Sequence, residues 1–176
     1  NNFIMKKSTY VSRFLDLTKR KNGGFTLIEI LVVIGIIALL ATIVIVAINP
    51  ARQFAQARNT QRTSHVNSIL NAIGQRYADN KGLFHAASDT ICTIDIPSVS
   101  STSAQVISST DLDLRPCLVP TYISELPVDP AVGVSWNGTT YNTAYKVYKD
   151  LNTGRVTVFA TTSESTLGNV EISVTR

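Results

Sequence analysis

Cysteine and histidine are scarce in this chain, with two of each among 176 residues. No cysteine stands at ligand spacing from His65 or His85, so a zinc framework of the Cys/His kind is excluded. Both histidines read as solvated or packed side chains. The chain also lacks Gly-x-Ser-x-Gly, a Walker loop and His-Glu-x-x-His. That removes the signatures of the common hydrolases, nucleotide phosphatases and zinc peptidases. No catalytic or cofactor-binding residue is assigned, and the chain is not expected to be an enzyme. Methionine occurs once, at Met5, so translation is expected to start there, with Asn1–Ile4 upstream of it.

Charge is missing where it matters most. Phe25 to Ile48 is a run of 24 residues in which Glu29 is the only charged side chain. As a helix it spans about 36 Å at ~1.5 Å per residue, more than the ~30 Å hydrocarbon core of a bilayer. A lone carboxylate in such a run is costly in lipid and calls for a functional explanation. Before the run, residues 1–24 hold six Lys/Arg against one Asp. Positive residues ahead of a spanning helix stay cytoplasmic, so the C-terminal bulk is expected outside. The apolar run is too long for an ordinary signal peptide, and no Ala-x-Ala pattern follows it. An uncleaved anchor carrying an outer binding or enzymatic domain remains one reading of the hydropathy.

The junction Gly23-Gly24-Phe25-Thr26-Leu27-Ile28-Glu29 favours another. Two glycines can lie extended in a protease cleft. A cut after Gly24 would free an amine at Phe25, one helical turn from Glu29. The stretch Lys21-Asn22-Gly23-Gly24-Phe25-Thr26-Leu27-Ile28-Glu29, running on through Ile37, resembles the class III signal of type IV pilins and type II secretion pseudopilins, closely over residues 19–48. The resemblance implies cleavage between Gly24 and Phe25 by a prepilin peptidase, and N-methylation of Phe25. It further implies that Glu29 meets the N-terminus of a neighbouring subunit during assembly. The implied partners are other copies in a helical filament, other pilins, the peptidase and an inner-membrane platform protein, with a cytoplasmic ATPase acting indirectly. The implied product is an extracellular pilus-like filament, with a secretion or DNA-uptake pseudopilus as the alternative. The precursor would sit in the cytoplasmic membrane, N-terminus inside. Family members commonly carry a proline inside the apolar run; here proline comes later, at Pro50.

Removing residues 1–24 changes the electrostatics. Residues 25–176 hold ten Lys/Arg against eleven Asp/Glu, so there is no case for strong nucleic-acid binding. Residues 25–82 hold five cations against two acids, and residues 83–176 five against nine. The stem is basic and the head acidic, a split that ordinary solvated surface would also produce.

Beyond Asn49-Pro50, where the helix should kink or break, Phe54, Val66, Ile69, Leu70, Ile73 and Tyr77 recur at helical spacing. Arg52, Arg58, Arg62 and Arg76 lie among them. Lys81-Gly82 is a stop signal. Residues 25–48 are thus assigned to a transmembrane or filament-core helix, 49–82 to an amphipathic helix and 83–176 to a loop and sheet head. Residues 105–107 suggest a short strand or turn, and 116–123 a helical turn. Asn137-Gly138 marks a tight turn. Residues 144–149, 155–161 and 169–175 alternate as three strands. The expected fold is α+β, a long N-terminal helix packed on a small antiparallel sheet.

Cys92 and Cys117 fall on the outer side, where disulfides persist. A bridge would close a loop of about 26 residues worth roughly 3 kcal/mol, and two separate thiols are the alternative. Resemblance to major pseudopilins raises a calcium site, for which Asp129, Asp150 and Asn152 offer oxygens, although turn formation explains these residues as well. Asn137-Gly138-Thr139 fits a glycosylation sequon, which the turn also explains.

An unpaired carboxylate near a helix centre costs about 2.5–3.5 kcal/mol on insertion scales, and less toward an end. A partner amine in an assembled core would remove that cost. Glu29→Ala should therefore leave membrane insertion intact and lower or abolish assembly, read as membrane-fraction protein with fewer sheared filaments or none.

Overall fold

The computed structural model describes residues 23–86, 89–162 and 164–176. The basic leader therefore lies outside the described residues apart from Gly23 and Gly24. Two units are distinguished, residues 1–47 and 48–176.

Among the described residues of the first unit there is one helix, α1 (Leu27–Ile48). It is built almost wholly from Leu, Ile, Val and Ala, and none of its residues is buried. At ~1.5 Å per residue its length is about 33 Å, enough to cross a membrane. Helical periodicity has no amphipathic face to express here, because the apolar residues surround the axis.

The helix is interrupted at Asn49, whose backbone is left-handed (φ 47°, ψ 74°), a conformation asparagine tolerates better than most residues. Its Oδ1 accepts from the Arg52 N–H at 3.3 Å. Pro50 then opens α2 (Pro50–Asp79), where its missing donor is no loss. The expected break at Asn49-Pro50 thus takes the form of a single capping residue. The far end stops as the Lys81-Gly82 signal suggests. Lys81 (φ 56°) and Gly82 (φ 90°) are both left-handed, and the Gly82 N–H returns to the Tyr77 carbonyl at 2.7 Å.

The buried face of α2 carries Ala55, Arg62, Val66, Ile69, Leu70, Ala72, Ile73 and Arg76. Phe54, assigned to this stripe from the sequence, is instead 65% exposed. It stands one residue from Ala55, about 100° round the helix, and Ala55 takes the inward position.

Behind α2 lies a four-stranded antiparallel sheet in the order β1 (Gln105–Ser108), β2 (Asn142–Lys149), β3 (Val156–Ala160), β4 (Ser173–Thr175). A short helix α3 (Arg115–Leu118) sits in the long connection between β1 and β2. Register is set by alternation: Tyr145, Val147 and Val158 point into the core and are fully buried, while Lys146, Tyr148 and Phe159 take the other face. β2 and β3 pair from Tyr145↔Ala160 to Lys149↔Val156 through the tight turn at Asp150–Gly154. The Asn137-Gly138 segment turns the chain between Val134 and Asn142, which exchange hydrogen bonds of 2.7 and 2.9 Å.

Alternation over 169–175 overstated the last strand. Gly168 (φ 81°) and Asn169 (φ 53°) are left-handed, so the extended run cannot begin there. Regular strand is confined to Ser173–Thr175, although the Ala160 N–H still reaches the Ile172 carbonyl at 2.9 Å.

The core joins Val66, Ile69, Leu70 and Ile73 of α2 to Ile107, Leu114, Leu118, Tyr145, Val147 and Val158. The irregular segment between α2 and β1 has few regular backbone bonds and is held by side chains. Cys92 and Cys117 are bonded to each other, joining this segment to α3. Cys92→Ser with Cys117→Ser releases a 25-residue separation and should lower the unfolding free energy of the detergent-solubilised chain by about 3 kcal/mol, measured as the urea midpoint with and without reductant. The unaltered chain should lose the same amount only when reduced.

Candidate functional site

The junction ahead of α1 is open. A Cβ at Gly23 or Gly24 would meet nothing within 4 Å, and Phe25 is 84% exposed. Chain of this kind can enter a protease cleft without unfolding anything. Thr26 then caps the helix. Its backbone N–H and its hydroxyl both donate to Glu29 Oε2 at 2.8 Å, and its Oγ1 accepts from the Glu29 N–H at 3.3 Å. Each end of Thr26-x-x-Glu29 thus satisfies an unpaired donor of the other, the reciprocal capping box. A carboxylate in the first turn also lies at the positive end of the helix dipole. The pattern is visible in the sequence, and reasoning from the hydropathy alone passed over Thr26. It places the carboxylate of the apolar run on polar groups at the helix mouth and holds it within one turn of Phe25.

A second cluster was not anticipated, because its central residue reads as surface. Arg62 of α2 is 1% exposed. Its Nε and Nη2 donate to the two oxygens of Asp129 at 2.7 and 3.2 Å. Nη1 donates to Asn59 Oδ1 at 2.9 Å and to Glu164 Oε1 at 2.7 Å. Arg58, one turn earlier, makes a two-pronged pair with Glu164, both bonds 2.7 Å.

Asp129 also accepts from the Ala131 and Val132 N–H groups and from the Thr162 hydroxyl. Burial pushes its carboxyl up, but the Arg62 guanidinium and these donors outweigh burial and hold it below the usual carboxylate range. Glu164 is held down to about 2 by hydrogen bonds from Arg58 and Arg62. The backbone folds tightly around Asp129: the Gly133 N–H bonds to its carbonyl at 3.0 Å, and a Cβ at Gly133 would lie 2.6 Å from the Asp129 nitrogen.

Arg76, the other buried arginine of α2, donates to the carbonyls of Phe84 and Cys117 at 2.7 and 2.8 Å and pairs with Asp89. Hydrogen bonds from the Cys92 N–H and from Arg76 bring the Asp89 carboxyl down to about 2. Arg58, Arg62 and Arg76 each pair with an acid from 83–176. The charge division between stem and head is therefore in good part an internal set of ion pairs, where solvated surface had been the plainer reading.

The calcium candidates are otherwise engaged. Asp129 belongs to Arg62. Asp150 Oδ1 accepts from the Asn152 and Thr153 N–H groups and the Thr153 hydroxyl, closing the β2–β3 turn. Among the described residues no group of three His, Cys, Asp or Glu side chains could hold a metal. His65 Nδ1 lies 3.0 Å from the Tyr145 hydroxyl, and burial lowers its affinity for a proton. His85 Nδ1 lies against the Cys92 carbonyl. Asn137 Oδ1 accepts from the N–H groups of Thr139 and Thr140, so the sequon residue shapes its turn. The structure thus brings Gly24, Phe25 and Glu29 into one exposed helix mouth, and sets Cys92 and Cys117 apart in the head.

Residues 19–45 match the family model of the prokaryotic N-terminal methylation motif. The chain therefore carries the class III signal of type IV pilins and pseudopilins. No curated protein and no solved structure matches the chain.

The ion cluster has a signed pH dependence. A carboxyl whose folded pKa lies below its unfolded value contributes stability that is present above the unfolded value and lost as pH falls through the folded one. For Glu164 that window runs from about pH 4.5 down to about 2, and the depressed carboxyl of Asp129 loses its contribution in the same direction, as pH falls below the usual carboxylate range. The urea midpoint should be flat from pH 7 to 5 and fall below that. Arg62→Ala leaves Asp129 buried and unpaired, and should cost about 3–5 kcal/mol at pH 7. The loss should shrink near pH 3, where the stranded carboxyl takes up a proton.

Proposed function

We propose that this chain is a pilin, a structural subunit that polymerises through α1 into a type IV pilus-like filament. The observation that carries this reading is α1 itself. It is 22 residues long, apolar all round, with no buried residue, and its one carboxylate is tied to the helix mouth. Such a surface requires an apolar surrounding, and burying it is worth about 25 cal/mol per Å2. Lipid provides that surrounding to the precursor, and the matching helices of other copies provide it in a polymer. The methylation motif over residues 19–45 supports the same assignment.

In this reading a prepilin peptidase cuts the Gly24–Phe25 amide, and the new Phe25 amine receives a methyl group. The amine remains a base and is protonated near neutral pH. The Thr26–Glu29 capping box then presents a carboxylate close to that charge. When the helix leaves lipid, Glu29 exchanges part of its contact with Thr26 for the amine of a neighbouring copy. The exchange costs little, because a charge-assisted bond replaces a neutral donor. It also fixes the axial register between copies, since each helix offers one such carboxylate. A platform protein in the inner membrane would receive the processed subunit. The head, with α2 folded onto its sheet, would form the outer surface, and the subunit itself performs no chemistry.

The N-terminus separates this reading from a tethered outer domain. The mature protein should begin at Phe25, and its N-terminal peptide should carry one added methyl group, by mass of that peptide from membrane and sheared fractions. A mature form that keeps Lys19–Gly24 would refute it. Filaments recovered by shearing mark a surface pilus, whereas a filament confined to the envelope marks a secretion or uptake pseudopilus.

A further inference from the structure

Two features of the head, set apart along α2, fit one another. The first is a groove of about 310 Å3, lined by Leu70, Ile73 and Tyr77 of α2, Val156 of β3, and the cations Lys149 and Arg176. Gly74 lines it as well. A glycine inside a helix is less favourable than alanine. Here nothing in the head requires it, since a Cβ at Gly74 would meet no atom within 4 Å. The bare backbone leaves room for chain arriving from outside. Lys149 forms no ion pair among the described residues; its Nζ lies 5.8 Å from the centre of the Tyr77 ring.

The second feature is the pair Val170-Glu171. Val170 is 56% exposed. Glu171 accepts no hydrogen bond and makes no ion pair among the described residues. Lys146 borders the same depression as Glu171 but comes no closer than the 4.0 Å limit of an ion pair. Val170 lies beside Gln56, Asn59, Thr60 and Thr63 of α2. The groove lies beside Leu70–Tyr77, roughly 21 Å farther along the helix at ~1.5 Å per residue.

We infer that Val170 of one copy seats in the Gly74 groove of the next, with its Glu171 meeting Lys149 and Arg176. The occupant follows from charge and shape: an apolar groove edged by cations is matched, on the same molecule, by an exposed valine next to an unsatisfied acid. Knob and groove are different patches, so the contact is heterologous. It repeats from copy to copy without the closure that a two-fold dimer imposes. The contact rests on the filament reading above and supplies its head-to-head component.

The test uses the full chain in cells that process it. Glu171→Lys and Lys149→Glu, each at an exposed or half-exposed position, should lower the yield of sheared filaments about tenfold. The double reversal should restore it. Independently, Val170→Cys combined with Gly74→Cys should give a covalent ladder of dimers and higher species when filaments are oxidised, and neither single variant should. The two native cysteines are already joined and do not interfere. Full filament yield from both single reversals overturns the contact, as does the absence of a ladder from filaments that do form; either result leaves the filament reading standing. Failure of the unaltered, processed chain to form filaments overturns that reading, and this contact with it.

Discussion

A guanidinium cannot be left unpaired in a protein interior, and the head is arranged around that constraint at Arg62. Desolvating such a charge costs several kcal/mol, repaid only by close partners with satisfied geometry. The partners come from two separate segments, the loop at Asp129 and the turn at Glu164. Meeting that demand locates both segments against α2 at once. It also explains the tight backbone at Asp129–Gly133, where carboxylate, backbone donors and glycine crowd into one turn. Arg76 repeats the device near the other end of α2, where it gathers Phe84, Asp89 and the disulfide-bearing α3. The segment between α2 and β1 is thereby held with few ladder bonds, those of Pro97 and Val99 to Lys149.

The N-terminal unit obeys the opposite rule. Beyond Glu29 the surface of α1 is apolar all round, so nothing along it demands a specific neighbour. Its first turn holds one carboxylate and one threonine, bonded to each other at the helix mouth. The two units therefore differ in kind: an apolar helix with no buried residue, and a head whose shape is set by buried charge.

Much of this was readable from residue pattern. The run from Phe25 to Ile48, the glycines before it and the lone Glu29 are local features, and local features survive in a one-dimensional string. β2 and β3 were readable for the same reason, since Tyr145, Val147, Val156 and Val158 alternate. The strand at 173–175 was overextended because alternation does not report the left-handed backbone at Gly168 and Asn169. The arginine cluster was missed for a physical reason. Arginine is mostly exposed, so at a helical position it reads as the solvent face. Its partners stand 67 and 102 residues away, which no spacing rule connects. The faint trace was the unequal charge of stem and head, and it came from pairs formed across the fold.

The bond between Cys92 and Cys117 encloses the short strand β1 and the exposed serines at 98–103 within one covalent ring. A protease that nicks any peptide bond between those two cysteines opens the ring but releases no fragment. Both cut ends stay joined through sulfur, with Arg76 still gripping the carbonyls of Phe84 and Cys117 on either side of it. Surface damage in that segment is thus kept from becoming loss of the segment.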